Sequence, residues 1–297
     1  MTNQKILSLL LSEFNALQTR EIILAKEGLK VSRTLVEPVD LEHKVVLLES
    51  LGLYVAIHNK KYIYETDSGK GGWVSRYGLE EDLEANHGSC MLYIGDKPDW
   101  VLASRDCEHS QDDAGFGETL GIPSCCVDMY VATIQKADKK QNDYLEFTLE
   151  NTQSSYPHNS WNNIAAQYFG YCLLSHYPCS FDCAPSAILA KQVNEVLTRY
   201  SEEFATRFRQ CHKDNYIYTE FDGIFRLTGS SFRDGFLHYK PDQMDVTLDS
   251  VLAGLFRQGS RIEVLGKHKF QVWDNQENLL GGFDHPDISI LIFEGDQ

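Results

Sequence analysis

A chain of 297 residues with 42% hydrophobic and 24% charged side chains has the length for a substantial core and ordinary globular composition, which argues against long disordered stretches. Its 43 acidic residues against 27 basic ones give a net charge of −16, with no Lys/Arg cluster, so nucleic acid and anionic membrane surfaces are poor partners. Such a surface suits a small neutral or cationic substrate or a basic protein face, unless it serves solubility alone.

The first apolar run, Ile6 to Leu11, is broken by Ser8 and followed by Glu13, too short for a secretory signal or a membrane span. A cytoplasmic location is therefore expected, with the eight cysteines as thiols or ligands rather than a disulfide framework. Ile6, Leu9, Leu10, Phe14 and Leu17 share one face at helical spacing and predict an opening amphipathic helix. Lys44 to Ile57, rich in Val, Leu and Tyr, reads as strand. Lys60-Lys61 forms a turn in that reading, and Tyr62-Ile63-Tyr64 returns as a second strand. Met91 to Ile94 before Gly95 is another short strand.

Two helices follow the main cysteine groups. Val127, Tyr130, Val131 and Ile134 form a stripe behind Pro123 and Ser124, a rigid entry and a cap. Leu189, Val193, Val196 and Leu197 do the same behind Cys183 and Pro185. From Asn215 the texture turns to β. Tyr216 to Leu227 is aromatic and β-branched, Arg261–Val264 and Lys269–Trp273 alternate around Gly266 as a hairpin, and Ile288 to Phe293 is a last apolar strand. The fold expected is α+β, a mixed α/β body over 1–213 with a small β-rich unit over 214–297.

The chemistry concentrates in two clusters, Cys125-Cys126 and His176-x2-Cys179-x3-Cys183, each at or just before a helix start. Soft thiolates with one imidazole suit zinc, iron or an iron–sulfur cluster, and Cys125, Cys126, His176, Cys179 and Cys183 are the candidate ligands. The spacing matches no standard zinc finger. Adjacent cysteines stand about 100° apart on a helix, which predicts that one of the pair faces the site. Such a centre would perform Lewis-acid or redox chemistry on a small molecule.

Another reading needs no cofactor. A cysteine at a helix N-terminus is activated by the dipole, His176 serves as base and Asp182 orients it. That is the chain order of papain-like enzymes, and it would transfer an acyl or sulfur group, including a carrier-bound acyl group. It leaves Cys179 and Cys183 without a role. A dithiol pair such as Cys126 with Cys179, or a non-catalytic scaffold in which the thiols only pack, completes the set.

The runs Phe116-Gly117-Glu118-Thr119-Leu120-Gly121-Ile122-Pro123-Ser124-Cys125-Cys126-Val127 and Ser175-His176-Tyr177-Pro178-Cys179-Ser180-Phe181-Asp182-Cys183 resemble the family labelled domain of unknown function 483. Its members tend to read Leu-Gly-x-Pro-x-Cys-Cys-Val and then His-x-Pro-Cys-Ser-x-x-Cys at the head of a helix. The resemblance covers roughly residues 90 to 200. It implies that both cysteine clusters belong to one site, brings no settled reaction, and admits enzymes of specialised metabolism.

Other groups read more simply. Cys107 and His109 lie in an acidic stretch expected as a solvated loop, Cys90 is expected as a buried thiol, and Cys211-His212 closes a charged helix. Ser68 to Gly72 lacks phosphate-loop spacing, and His158 or Asn162 could line a pocket near the second cluster.

Overall fold

The computed structural model describes residues 1–62, 64–65, 73–74, 88–137 and 143–295. Helices α1 (Asn3–Glu13) and α2 (Ala16–Lys26) open the chain, followed by β1 (Ser32–Val36), α3 (Leu41–Ser50) and β2 (Tyr54–Tyr62). The short β3 (Tyr64–Glu65) and β4 (Trp73–Val74) precede β5 (Ser89–Gly95). A helical stretch comes next, with α4 (Pro98–His109), α5 (Asp113–Thr119), α6 (Ser124–Ala137), α7 (Leu145–Asn151), α8 (Ala184–Tyr200) and α9 (Glu202–Lys213). The remainder is β6 (Asn215–Thr219), β7 (Ile224–Leu227), β8 (Ser231–Arg233), β9 (Phe236–His238), β10 (Met244–Val246), α10 (Val251–Gln258), β11 (Arg261–Gly266), β12 (Lys269–Trp273), β13 (Leu279–Asp284) and β14 (Ile288–Leu291). Helices mixed with antiparallel sheets make the protein α+β, with a strand-rich C-terminal region.

The opening amphipathic pattern belongs to two helices. α1 buries Ile6, Leu7 and Leu10, and Asn15 then caps α2 in a reciprocal box with Gln18. In α2 every residue from Thr19 to Ala25 is buried, including Arg20 and Glu21.

Of the strand expected over Lys44 to Ile57, Tyr54 to Ile57 is strand, while Lys44 to Ser50 is helix. Leu41, Val45 and Leu48 recur at helical spacing, Pro38 starts a 3-10 turn ahead of them, and Gly52 at φ +78° closes α3. The Val and Leu content suggested strand, but the spacing decides. Lys60-Lys61 is not a turn either: both lie in β2, where Lys61 pairs with Cys90 across a register shift. Ser68 to Gly72 lies outside the described residues.

Three antiparallel sheets carry the strands, in the orders β1-β5-β2, β10-β7-β6-β14 and β13-β12-β11-β9-β8, beside the small pair β3-β4. The hairpin around Gly266 is β11 paired with β12. β6 shows how the C-terminal strands join the rest. Tyr216 and Tyr218 face the core formed with α1, α2, α8 and α9, and Ile217, on the opposite face, packs in a second cluster with Phe225, Phe256 and Phe270.

His212, expected as incidental, is a structural tie. It is buried near the end of α9, its Nε2 accepts the Leu173 N–H at 2.8 Å, and its Nδ1 meets the Ser160 carbonyl at 2.9 Å. A proton on Nε2 would face an N–H donor, so the ring folds neutral. Burial lowers its pKa to about 4 from 6.5, against the opposing pull of the Ser160 carbonyl. The folded value lies below the unfolded one, so the tie contributes in full above pH ~6.5 and is lost as pH falls toward ~4. A proton NMR titration of native protein should give His212 a midpoint near 4. Its contribution should fall by about 2 kcal/mol between pH 7 and pH 5. An ordinary midpoint would contradict this account.

Candidate metal centre

Pro123 sets up the first half of the site, and Ser124, expected as the cap, is instead the first residue of α6. The Pro123 carbonyl accepts the N–H groups of Cys126 and Val127, so Cys125 and Cys126 lie in the first turn of α6. Cys183 is the N-cap of α8, with Pro185 in its first turn. Two helix N-termini thus turn their positive dipole ends toward the sulfurs.

The sulfurs of Cys125, Cys126, Cys179 and Cys183 all lie within 4.8 Å of one another, a group that could hold a metal ion. Cys125 Sγ is 3.9 Å from Cys126 Sγ and 3.8 Å from Cys183 Sγ, and Cys126 Sγ is 3.7 Å from Cys183 Sγ. Both members of the vicinal pair therefore face the site, contrary to the helical-wheel expectation. Sγ extends far enough from Cβ for two neighbours on one helical turn to converge. Cys126 and Cys183 are buried, and Cys125 and Cys179 half-buried.

The thiols do not titrate alike. The hydrogen bond between the Cys126 and Cys183 sulfurs outweighs burial and holds Cys183 down at about 4. The same bond, with burial, raises Cys126, while burial and Cys183 push Cys179 up to about 12. The hydrogen-bonded thiols therefore lose their protons in steps, Cys183 before Cys126 and Cys179. The Cys179 N–H donates to Cys126 Sγ at 3.3 Å, and Ser186 Oγ lies 3.2 Å from the same sulfur.

The loop carrying Cys179 and Cys183 is held from beneath. Thr148 Oγ1 donates to the Pro178 carbonyl at 2.7 Å, and Thr152 Oγ1 accepts the Phe181 N–H at 2.8 Å. Asn162, fully buried, donates to the carbonyls of Phe181 and Cys183 at 2.9 Å each. Asn162 was a candidate pocket residue, and its work is to fix the loop. Thr148, Thr152 and Ser186 gave no signal in sequence, because a hydroxyl near a helix end reads as an exposed cap.

His176 and Asp182 stand apart from the sulfur cluster and from each other. His176 Nε2 lies 2.9 Å from Ser186 Oγ, so Ser186 stands between the imidazole and Cys126. Burial, reinforced by the Lys30 and Arg20 cations, lowers the His176 pKa to about 3 and keeps the ring neutral. Asp182 is exposed and accepts the N–H groups of Gln153 and Ser154 at 3.1 and 3.0 Å. Its charge acts on His158, which stacks on Phe181 with ring centroids 5.2 Å apart. The geometry therefore does not assemble a cysteine–histidine–aspartate triad: Asp182 makes a loop contact, and no bond joins His176 directly to a thiol.

The acidic stretch near Cys107 is helix α4 rather than a loop. Glu108 in it anchors Arg33, Tyr62 and Tyr93. Cys90 is buried, as is Cys211. A cavity of about 390 Å³ has Cys126 and His176 on its wall.

Comparison with known proteins returns no match: no protein family, no curated protein and no solved structure corresponds to this chain. No helix among the described residues is long and apolar enough to cross a membrane.

Asn162→Ala should destabilise the fold by about 2 to 4 kcal/mol, because two buried carbonyls lose their donor. Asn162→Asp, which keeps the shape but places oxygens against those carbonyls, should be no better. Urea unfolding checks both, and an effect under about 0.5 kcal/mol would exclude the loop-fixing role.

Proposed function

We propose that the protein is a metalloprotein in which Cys125, Cys126, Cys179 and Cys183 bind a single tetrahedral ion, zinc or iron(II), beside a small-molecule cavity. The sulfur spacing carries this reading. Four thiolates at about 2.3 Å from one zinc stand about 3.8 Å apart along the edges of a tetrahedron. The three separations among Cys125, Cys126 and Cys183 are 3.7, 3.8 and 3.9 Å, and Cys179 lies within 4.8 Å of each. A [4Fe–4S] cluster puts a separate iron under each thiolate and a [2Fe–2S] cluster divides four thiolates between two irons, so either spreads its cysteines wider and one ion fits this spacing better.

The surroundings suit the charge of such a centre. Four thiolates around a divalent ion carry two net negative charges, met by two helix N-termini, the Cys179 N–H and the Ser186 hydroxyl. With Cys126 as thiolate, Ser186 donates to the sulfur and accepts from His176 Nε2–H. His176 then acts as a neutral positioning residue, outside the ligand set. A closed four-sulfur set offers no open position for Lewis-acid catalysis. When bound, zinc would preserve a nucleophilic thiolate at Cys126, and iron would supply one-electron transfer. We propose that this chemistry serves a small-molecule enzyme, since the cavity reaches Cys126.

Eight free cysteines suit a reducing, cytoplasmic setting. We propose membership of the domain of unknown function 483 family on its two motifs, whose cysteines converge here.

Protein purified without oxygen should carry one ion per chain and no acid-labile sulfide. Cys179→Ala and Cys125→Ala should lose the ion, while Cys211→Ala should keep it. Ser186→Ala should weaken binding about tenfold or more. Cobalt-loaded protein should show the visible spectrum of tetrahedral thiolate coordination. A metal-free parent that folds normally and takes up neither zinc nor cobalt would sink the proposal.

A further inference from the structure

The cavity beside Cys126 is charged at one end and apolar along its walls. Its charged end is built from α2 and the residues just past it: Arg20, Glu21 and Lys30, with exposures of 4%, 8% and 8%. Arg20 is committed to the structure. It donates to the carbonyls of Cys172 and Leu174, to Ser175 Oγ and to Glu21 Oε1. Glu21 Oε1 also accepts from Ser175 at 2.5 Å, and Oε2 accepts from Lys30 at 2.6 Å.

Two buried cations thus share one carboxylate, and two minus one leaves a surplus of one positive charge. The surplus sits at Lys30, whose Nζ has one acceptor among the described residues and further N–H groups to offer. Glu21 is firmly ionised. Burial raises its pKa, but Lys30 and Arg20 overcome that and hold it at about 2. Burial works on Lys30 in the opposite sense, lowering its pKa, as expected of an ammonium lacking a full counter-charge. Arg33, the other cation on the lining, is held by Glu108, and the charges that act on Lys30 are those of Glu21 and Arg20 rather than that of Asp113 in the first turn of α5. Phe116, Leu120, Val127, Met129 and Tyr130 supply the apolar wall.

We propose that this cavity binds a small organic monoanion, a carboxylate held by Lys30 with an apolar body against the Phe116–Tyr130 wall, its far end reaching Cys126. A single surplus charge matches a carboxylate and would leave a phosphate dianion over-charged. A cavity of about 390 Å³ suits a ligand of small-drug size. The local charge is opposite to the chain's net −16, from which a neutral or cationic substrate was expected. The proposal rests on the metal-centre reading only for what happens at Cys126, because recognition of the anion needs Lys30 and not the ion.

Calorimetric titration of the full chain with 3-phenylpropionate and octanoate, against 3-phenylpropanamide and octanamide, tests the idea. At least one acid should bind about tenfold or more tightly than its amide, the margin of a charge-assisted bond. Lys30→Met should abolish that preference. The fold should tolerate it, since Arg20 and Glu21 still balance each other. Leu120→Trp, which fills the cavity from the residue that ends α5, should block both acids and keeps the test open should Lys30→Met not fold. Neither acid binding better than its amide, or a preference that survives Lys30→Met, overturns the proposal. Metal content measured on the same samples separates the two readings. A selective acid site without an ion defeats only the metal centre, and an ion without selectivity defeats only the carboxylate site.

Discussion

Four cysteine sulfurs within 4.8 Å of one another are the constraint from which the middle of this molecule is built. As thiolates they repel, and as thiols they can give each other only weak hydrogen bonds. Such a group persists only where something outside it fixes the backbone. Here that support comes from three elements at once. Thr148 and Thr152 at the end of α7 and Asn162 in the following segment hold the 178–183 loop, while Pro123 sets the first turn of α6. The sulfurs are the last link of this chain of contacts. An ion among them would relieve the repulsion and cross-link two helix starts at the same time.

The second buried charge set lies on the cavity that Cys126 lines. Burial, then the Lys30 and Arg20 cations, lower the pKa of His176, whose Nε2 meets Ser186. A neutral His176 is useful here, since a protonated ring would add a further buried cation where Arg20 and Lys30 already exceed Glu21 by one. Lys30 and Cys126 line the same cavity, so with the proposed ion bound the Cys126 thiolate and the surplus at Lys30 would attract each other across it. A bound carboxylate would sit at the positive end, far enough along the cavity to bring its own reactive end to the sulfur.

How much of this was legible follows from what sequence patterns encode. Pro123-Ser124 and Pro185 marked the helix starts correctly, because capping chemistry is local. The β11–β12 hairpin was legible for the same reason. α3 was missed because Val45, Val46 and Leu48 suggested strand while their spacing was helical. Arg20 and Glu21 gave no signal, since charged residues on a helix read as a solvated face. Their burial depends on Lys30 and on carbonyls more than 150 positions away. Asp182 looked like a histidine partner from proximity in sequence, yet its side chain turns to Gln153 and Ser154 on the exposed side of the loop.

The vicinal pair has a consequence of its own. Cys125 is half-buried and Cys126 is buried against the cavity, so one dipeptide presents the centre to two environments. A structural ion needs no such arrangement, and two separated cysteines would serve it with less crowding. Within the proposed centre, the pair places a thiolate at the end of a cavity while a second sulfur of the same ion stands nearer solvent. Water is then kept from the reacting sulfur by the apolar wall, and charge or an electron can still reach the ion from outside through Cys125 or Cys179. That division of access is what the proposed working centre would need and a staple would not, and it rests on the one turn of α6 that Pro123 fixes.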